Sequence, residues 1–439
     1  MTFYHLPTFM RSLANRVRRS ALVANSTWMF AGFGARLFVQ AAYFVLIARS
    51  LGSYQYGTFV GATAVVSVVA PFASIGFGNL LVRNVSRNNM LFSECWGNAL
   101  LVSVVSGTLL LAGVTVIAGL WMRGTFSISL ILLVGVADLF AYRTVEVAAQ
   151  AFQAIGQMRY TAQLNLLPNL LRLCAAAYLT QTFHHLSATK WAAFYAGTSV
   201  ISLIIAMGLV RYRLGKARLC LSRIRTELWD GFYFSLGLSS QTIYNDIDKV
   251  MLARMANPVA TGIYAAAYRL IEVSFTPVRA VLNAAYPEFF RAGCRGLPGS
   301  LALTKRLLPK GIVYSSVVAT CLFLAAPGVT MILGNEYALT VDALRWLCLL
   351  PLLKTIHYFV ADALTGAGYQ KVRSIAQVFV AIANIILNLA LIPRYSWRGA
   401  AWASIASDGL LALSLCLAAL VILGQTRSND FSESEELHV

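Results

Sequence analysis

Eight cations, Arg36, Arg143, Arg172, Lys249, Arg269, Arg279, Arg345 and Lys354, stand inside stretches apolar enough to cross a lipid bilayer. A charge at the bilayer centre costs about 2.5–3.5 kcal/mol on insertion scales, so such residues are retained for a partner or a task. The task that suits arginine is an anion, because its fixed charge and planar fork of donors match phosphate oxygens. Four of the eight have a carboxylate three residues away on the same helix face: Arg143 with Glu146, Lys249 with Asp246, Arg269 with Glu272, and Arg345 with Asp342. Such pairs can neutralise themselves, and holding helices together explains them as well as a direct role does. Arg36, Arg172, Arg279 and Lys354 have no intrahelical partner, although Asp138, Asp248, Asp362 or Asp408 could reach them from another helix. Without that pairing they would surround a wet cavity able to hold an anion. Arg279 and Lys354 also lie close enough to a helix end to snorkel.

The elements that must carry these charges are membrane helices. A bilayer core of roughly 30 Å needs about 20 apolar residues to cross it. Spans are expected near 25–48, 56–81, 96–121, 126–152, 160–180, 189–210, 229–253, 260–288, 309–333, 341–366, 374–393 and 399–424. The chain therefore reads as an all-α integral membrane protein of about 12 transmembrane helices. Hydrophobic residues at 58% against 12% charged exclude the soluble classes. The net charge of +18 does not point to nucleic acid. With the N-terminus inside, 21 loop cations fall on the inner side and 6 on the outer, which is topology by the positive-inside rule and places both termini in the cytoplasm.

A basic inner segment separates six expected helices from six more. The organisation is then a cytoplasmic N-terminal segment 1–24, a six-helix bundle 25–211, a basic linker 212–228, a second six-helix bundle 229–424 and an acidic cytoplasmic tail 425–439. Sliding the halves by 205 positions overlays Val45–Arg49 on Val250–Arg254 and Gly57 on Gly262, and brings Pro71 within one place of Pro277. Six is even, so the halves would be parallel repeats related by a pseudo-twofold axis along the membrane normal. The first 24 residues, broken by His5, Pro7 and four arginines, do not read as a cleavable signal peptide. Seven scattered cysteines without a CxxC pair, and five histidines without ligand spacing, predict neither a disulfide framework nor a metal site. The histidines, including His184 and His185, read as interfacial polar residues, and Trp28, Trp121, Trp191 and Trp397 as interface anchors.

Three stretches resemble the polysaccharide transporter family, the O-antigen and exopolysaccharide flippases, of the superfamily that also holds multidrug exporters and the lipid II flippase. They are Leu46–Gly52 with Tyr56-Gly57; Asp248–Leu252 through Gly262-Ile263-Tyr264 to Ala267–Leu270; and Asn384 through Asn388 and Ile392-Pro393 to Gly399–Ala401. Asn257-Pro258 stands where the family's second half often keeps a variant of Leu-Gly, and Ser396 replaces a usual glycine.

What the resemblance implies is a V-shaped exporter of two six-helix bundles in the bacterial inner membrane. It would move an undecaprenyl-pyrophosphate-linked oligosaccharide from the cytoplasmic to the periplasmic leaflet by alternating access, for O-antigen, capsule or exopolysaccharide synthesis. Carried over, the cavity-lining helices of that family point to Arg36, Lys249, Arg269 and Arg279 as pyrophosphate contacts. Asp246, Asp248, Glu272 and Asp408 are the carboxylates available for ion coupling, with proton and sodium both open. No cofactor is implied. The implied partners are the lipid-linked oligosaccharide and the bilayer, with a polysaccharide polymerase and a chain-length regulator beside a monomer. The rival is a multidrug or cation antiporter of the same superfamily, disfavoured because cations in the spans at least match acids. A membrane-embedded glycan polymerase would need a larger loop to present acid, base or metal ligands; a scaffold role is the blandest alternative.

Overall fold

The computed structural model describes residues 8–121, 124–182 and 186–436, with side chains from 34 to 425 apart from scattered helical positions. His184 and His185 fall outside the described residues. No strand occurs among them. The helices run α1 (Thr8–Val69), α2 (Phe77–Arg87), α3 (Phe92–Trp121), α4 (Ile128–Gly135), α5 (Arg143–Ala154), α6 (Met158–Thr182), α7 (Ala188–Arg213), α8 (Leu221–Met255), α9 (Pro258–Gly293), α10 (Gly296–Ala325), α11 (Gly328–Leu333), α12 (Ala338–Leu347), α13 (Leu350–Gly366), α14 (Gln370–Tyr395) and α15 (Trp397–Glu436). α1 is two helices joined at Gly52, whose φ of 68° and ψ of 171° interrupt the helical path. Glycine adopts that backbone without penalty. Pro71 sits in the 3-10 turn Ala70–Ser74 that separates α1 from α2.

Seven described helical stretches are long and apolar enough to cross a membrane, and an eighth if Asn335–Leu347 and Leu350–Gly366, bent by 41°, form one broken span. This is fewer than the twelve expected. The helices that miss the criterion include α6, α8 and α9, with 25, 35 and 36 residues, so length is not what fails them. They carry Arg172, the Asp246–Lys249 cluster and the Arg269–Glu272 pair, and these polar groups lower the mean hydropathy of the very helices that hold the candidate chemistry.

The chain divides into two compact units, residues 1–50 with 65–242, and residues 51–64 with 243–439. The division differs from the expected bundles at two places. Residues 212–242, the expected linker together with the start of the expected second bundle, group with the first unit, where the segment after α7 is pinned to α3. Asn98 donates from Nδ2 to the Cys220 carbonyl at 3.0 Å and accepts the Cys220 amide at 2.9 Å, and the Arg218 amide donates to the Ser93 carbonyl at 2.8 Å. Residues 51–64 join the second unit because Gly57 packs against α9 at Pro258.

The core of the first unit gathers Phe77 and Leu81 of α2, Trp96 of α3, Phe152 of α5 and Val210 of α7. In the second unit one cluster joins Leu364, Val380 and Leu415, and another joins Phe275, Leu282, Phe289 and Phe359. Two tryptophans expected at the membrane interface belong to the interior instead. Trp191 is fully buried and stacks on Tyr43 with centroids 5.9 Å apart, and Trp397 is also buried. Trp121 is exposed, as an interfacial residue would be.

Candidate functional site: two buried polar networks

In the first unit the chemistry is organised by a π-helical segment, Val136–Tyr142, between α4 and α5. Such wide turns are rare and cluster at functional positions. This one carries Asp138 and Tyr142. Asp138 pairs with Arg172 of α6 at 3.6 Å and accepts the Tyr195 hydroxyl of α7 at 2.8 Å. The Arg172 guanidinium lies 3.9 Å from the Tyr195 ring centroid and 5.4 Å from that of Tyr142, and donates to Ser199 Oγ at 3.2 Å. The buried cation is thus enclosed by one carboxylate, two aromatic faces and a hydroxyl, the conditions under which an internal charge is tolerated.

Arg36 reaches the same cluster from α1. Its Nη2 donates to the Tyr142 hydroxyl at 3.3 Å, and one turn further on Gln40 donates to Asn169 Oδ1 at 3.1 Å. Arg36 is half-buried, and among the described residues no carboxylate pairs with it. A single neutral partner uses one of five donors. Its remaining donors are available to a ligand.

In the second unit the polar residues of α8, α9, α13 and α15 form a connected chain. The Lys249 ammonium donates to the Asn245 carbonyl at 2.7 Å and to Asp246 Oδ1 at 2.8 Å, with Asp248 Oδ1 at 3.7 Å and the Tyr268 ring centroid at 4.3 Å. Tyr264 donates its hydroxyl to Asp248 Oδ2 and shares a 2.9 Å contact with Ser404 Oγ. Lys354 donates to the Tyr268 hydroxyl at 2.7 Å, and Asp408 lies within Coulombic range of it. His357 Nε2 stands 3.4 Å from Asp408 Oδ1, with both side chains buried.

All four i,i+3 pairs expected from spacing form: Arg143–Glu146 at 2.6 Å, Asp246–Lys249 at 2.8 Å, Arg269–Glu272 at 3.1 Å and Asp342–Arg345 at 3.9 Å. The four cations without an intrahelical partner separate. Arg172 is neutralised by Asp138, and Lys354 is held by Tyr268 near Asp408, so neither offers an open charge. Asp362 turns to Arg373 at 3.2 Å rather than to any of them. Arg279 is exposed, 5.8 Å from the Phe275 centroid. Of the proposed contacts and coupling residues, Lys249 with Asp246 and Asp248 form one cluster, Asp408 anchors a second with His357, Arg269 and Glu272 hold each other, and Arg36 belongs to the separate network of the first unit.

Sequence reasoning missed Tyr142, Tyr195, Tyr268 and His357. Tyr264 and Tyr268 stand four apart, a spacing that puts both on one helix face, and this was the available signal. His357 read as an interfacial residue, and burial against Asp408 corrects that. Among the described residues no group of three His, Cys, Asp or Glu side chains could hold a metal ion.

A family model described as polysaccharide biosynthesis protein matches residues 9–292. The probable low-salt glycan biosynthesis flippase Agl15 of Haloferax volcanii is 20% identical over 379 residues, covering 85% of this chain and 77% of that protein. Among solved structures, the lipid II flippase MurJ in an inward closed conformation is similar with a TM-score of 0.69 and 12% identity, over 90% of this chain and 87% of that one. An inward-facing MATE family multidrug resistance transporter of the MOP superfamily gives 0.67 and 13%, over 93% and 95%. At such identities the likeness to solved structures establishes the fold, that of multi-pass helical transporters, while the family match extends over more than half of the sequence. The chain belongs to the polysaccharide biosynthesis protein family, with the fold of MOP-superfamily transporters.

Proposed function

We propose that this protein is a flippase for a lipid-linked oligosaccharide, moving an undecaprenyl-pyrophosphate-linked repeat unit from the cytoplasmic to the periplasmic leaflet of a bacterial inner membrane. Family membership and the distant glycan flippase relative support the substrate class. The observation that carries the reading is Arg36, a half-buried guanidinium in the first helix whose hydrogen-bond partner is a tyrosine hydroxyl, set beside a cation that is already neutralised. A pyrophosphate needs donors that are desolvated but not spent on a carboxylate, and Arg36 meets both conditions.

The exposed Arg279 is a secondary anion contact in the second unit, and Arg269 is a weaker one because Glu272 already holds it at 3.1 Å. Lys249 is a poorer one, because its ammonium already donates to Asn245 and Asp246. Its place is with Asp246, Asp248, Glu272 and Asp408 as the group whose charge balance couples transport to a proton or sodium gradient. Twelve spans with both termini cytoplasmic follow if α6, α8, α9 and the two arms of α1 cross as well, since 25 residues of helix reach about 37 Å at roughly 1.5 Å per residue. Alternating exposure of the site to the two leaflets would then carry the headgroup while the lipid tail stays in the bilayer.

The test is the sidedness of an undecaprenyl-pyrophosphate oligosaccharide in proteoliposomes, read with an impermeant lectin, with wild-type protein and with Arg36→Ala. Protein-dependent translocation that the substitution abolishes supports the reading. Translocation unaffected by it removes Arg36 from the site. If no glycan is moved under either ion gradient, export of small lipophilic compounds becomes the better account of this fold.

A further inference from the structure

A second basic site lies in the first unit, and none of the residues lining it belongs to the Arg36 network. A cavity of about 220 Å³ opens where α3, α7 and the segment after α7 meet, lined by Trp96, Leu100, Met207, Gly208, Arg211 and Lys216 among others. It is built rather than incidental. The Asn98–Cys220 pair and the Arg218–Ser93 hydrogen bond hold the post-α7 segment against α3, and Gly215, at φ 107°, turns the chain so that Lys216 comes to the rim. Trp96 is buried in the floor. Arg211 and Lys216 are exposed, and among the described residues neither forms an ion pair.

Two apolar stripes lead away from the cavity. On α7, Ile201, Ile204 and Gly208 continue at helical spacing to Arg211, and both isoleucines are exposed. On α3, Leu100 is followed four residues later by Val104, with Val105 beside it, both exposed. Cations at the rim and exposed aliphatic side chains running into the hydrocarbon match the two ends of a phospholipid. A free phosphate would make no use of the stripes, and a neutral lipid none of the two cations.

From this arrangement we infer that the cavity binds one anionic phospholipid of the leaflet on the basic side, its phosphate between Arg211 and Lys216 and an acyl chain along Ile204 and Val104. The inference does not depend on which cargo is carried. Binding holds the ends of α3 and α7 and the post-α7 segment together, and makes the protein responsive to the acidity of the surrounding lipid. Juxtamembrane cations contribute roughly 1 kcal/mol each toward anionic lipid, so two supply a tenfold or greater preference.

The experiment is native mass spectrometry of the full chain, released from detergent into phosphatidylglycerol or phosphatidylcholine. One phosphatidylglycerol should be retained at least tenfold more tightly than phosphatidylcholine. Arg211→Ala with Lys216→Ala should remove that preference, while Arg211→Lys with Lys216→Arg should keep most of it. Gly208→Phe keeps both cations but fills the cavity, since an added Cβ there meets nothing within 4 Å, and it too should lose the tightly bound lipid. Equal retention of the two lipids would overturn the inference. So would an equal loss in Arg291→Ala with Arg295→Ala, a basic pair elsewhere, because the effect would then be diffuse surface charge. Displacement of phosphatidylglycerol by equimolar undecaprenyl pyrophosphate would assign the cavity to the cargo instead and overturn it likewise.

Discussion

Gly57 and Gly262 face each other through reciprocal backbone contacts, although they stand 205 positions apart in the chain. A Cβ on Gly57 would meet the Pro258 carbonyl oxygen at 1.7 Å and the Gly262 nitrogen at 2.6 Å. A Cβ on Gly262 would meet the Ser53 carbonyl oxygen at 2.1 Å and the Gly57 nitrogen at 3.1 Å. Ser53 and Pro258 are separated by the same 205 positions, so the contact exchanges equivalent residues as a two-fold axis would. Small residues four apart on both helices let the backbones touch, as in close membrane-helix pairs.

Replacing either glycine should therefore separate the helices. Gly57→Ala is expected to lower the thermal midpoint by several degrees, because the obstacle is a backbone carbonyl that no rotamer can avoid, with overpacking costs of about 1–3 kcal/mol. Gly197→Ala, where a Cβ meets nothing within 4 Å, is the control and should leave the midpoint unchanged or slightly raised. Thermal unfolding in detergent decides, and equal behaviour of the two variants would mean the contact is not close in the native protein.

The Asp138–Arg172 pair should be costly to break and cheap to replace. Arg172→Met leaves a partly buried carboxylate with the Tyr195 hydroxyl and the more distant Arg143, and is expected to cost about 3 kcal/mol. Adding Asp138→Leu should recover most of that loss. A double variant no more stable than the single one would show that the two charges are not coupled.

Arg36 should be sensitive to geometry as well as charge. Loss of a charge-assisted hydrogen bond is worth about 1.5–3 kcal/mol, so Arg36→Ala should slow lectin-detected translocation roughly tenfold to a hundredfold. Arg36→Lys keeps the charge but not the fork, and should fall between. Tyr142→Phe removes the hydroxyl that positions Arg36 and should cost less than Arg36→Ala. Equal rates for the lysine variant and the wild type would argue against bidentate recognition.

Ser396, at φ 54° between α14 and α15, occupies a backbone region that disfavours side chains. Ser396→Gly should therefore stabilise the protein by about 1 kcal/mol, read as a rise in thermal midpoint. An unchanged or lower midpoint would show that the serine side chain compensates the strain.

Several features were legible before folding because they depend on neighbours in sequence. The i,i+3 ion pairs are consequences of helix pitch, and all four form. The 205-residue offset also anticipated a local break, since Gly52 interrupts α1 and Asn257, at the same offset, caps α9 where α8 has just ended. Composition located the more apolar helices, whereas α8 and α9, which carry the buried network, are less apolar than a membrane span is expected to be.

By itself the sequence determined a helical membrane protein and its local ion pairs, and narrowed the candidate anion contacts to a few cations. Only the tertiary structure decided which cations are already spent. Arg172 and Arg36 have the same side chain and both lie in helices long enough to cross a membrane, yet one meets Asp138 from 34 positions away and the other a tyrosine hydroxyl. The physical reason is that pairing within a helix follows from a fixed rise and turn per residue. Pairing between helices depends on rotation, depth and crossing, which the packing of the whole bundle sets and no local spacing records.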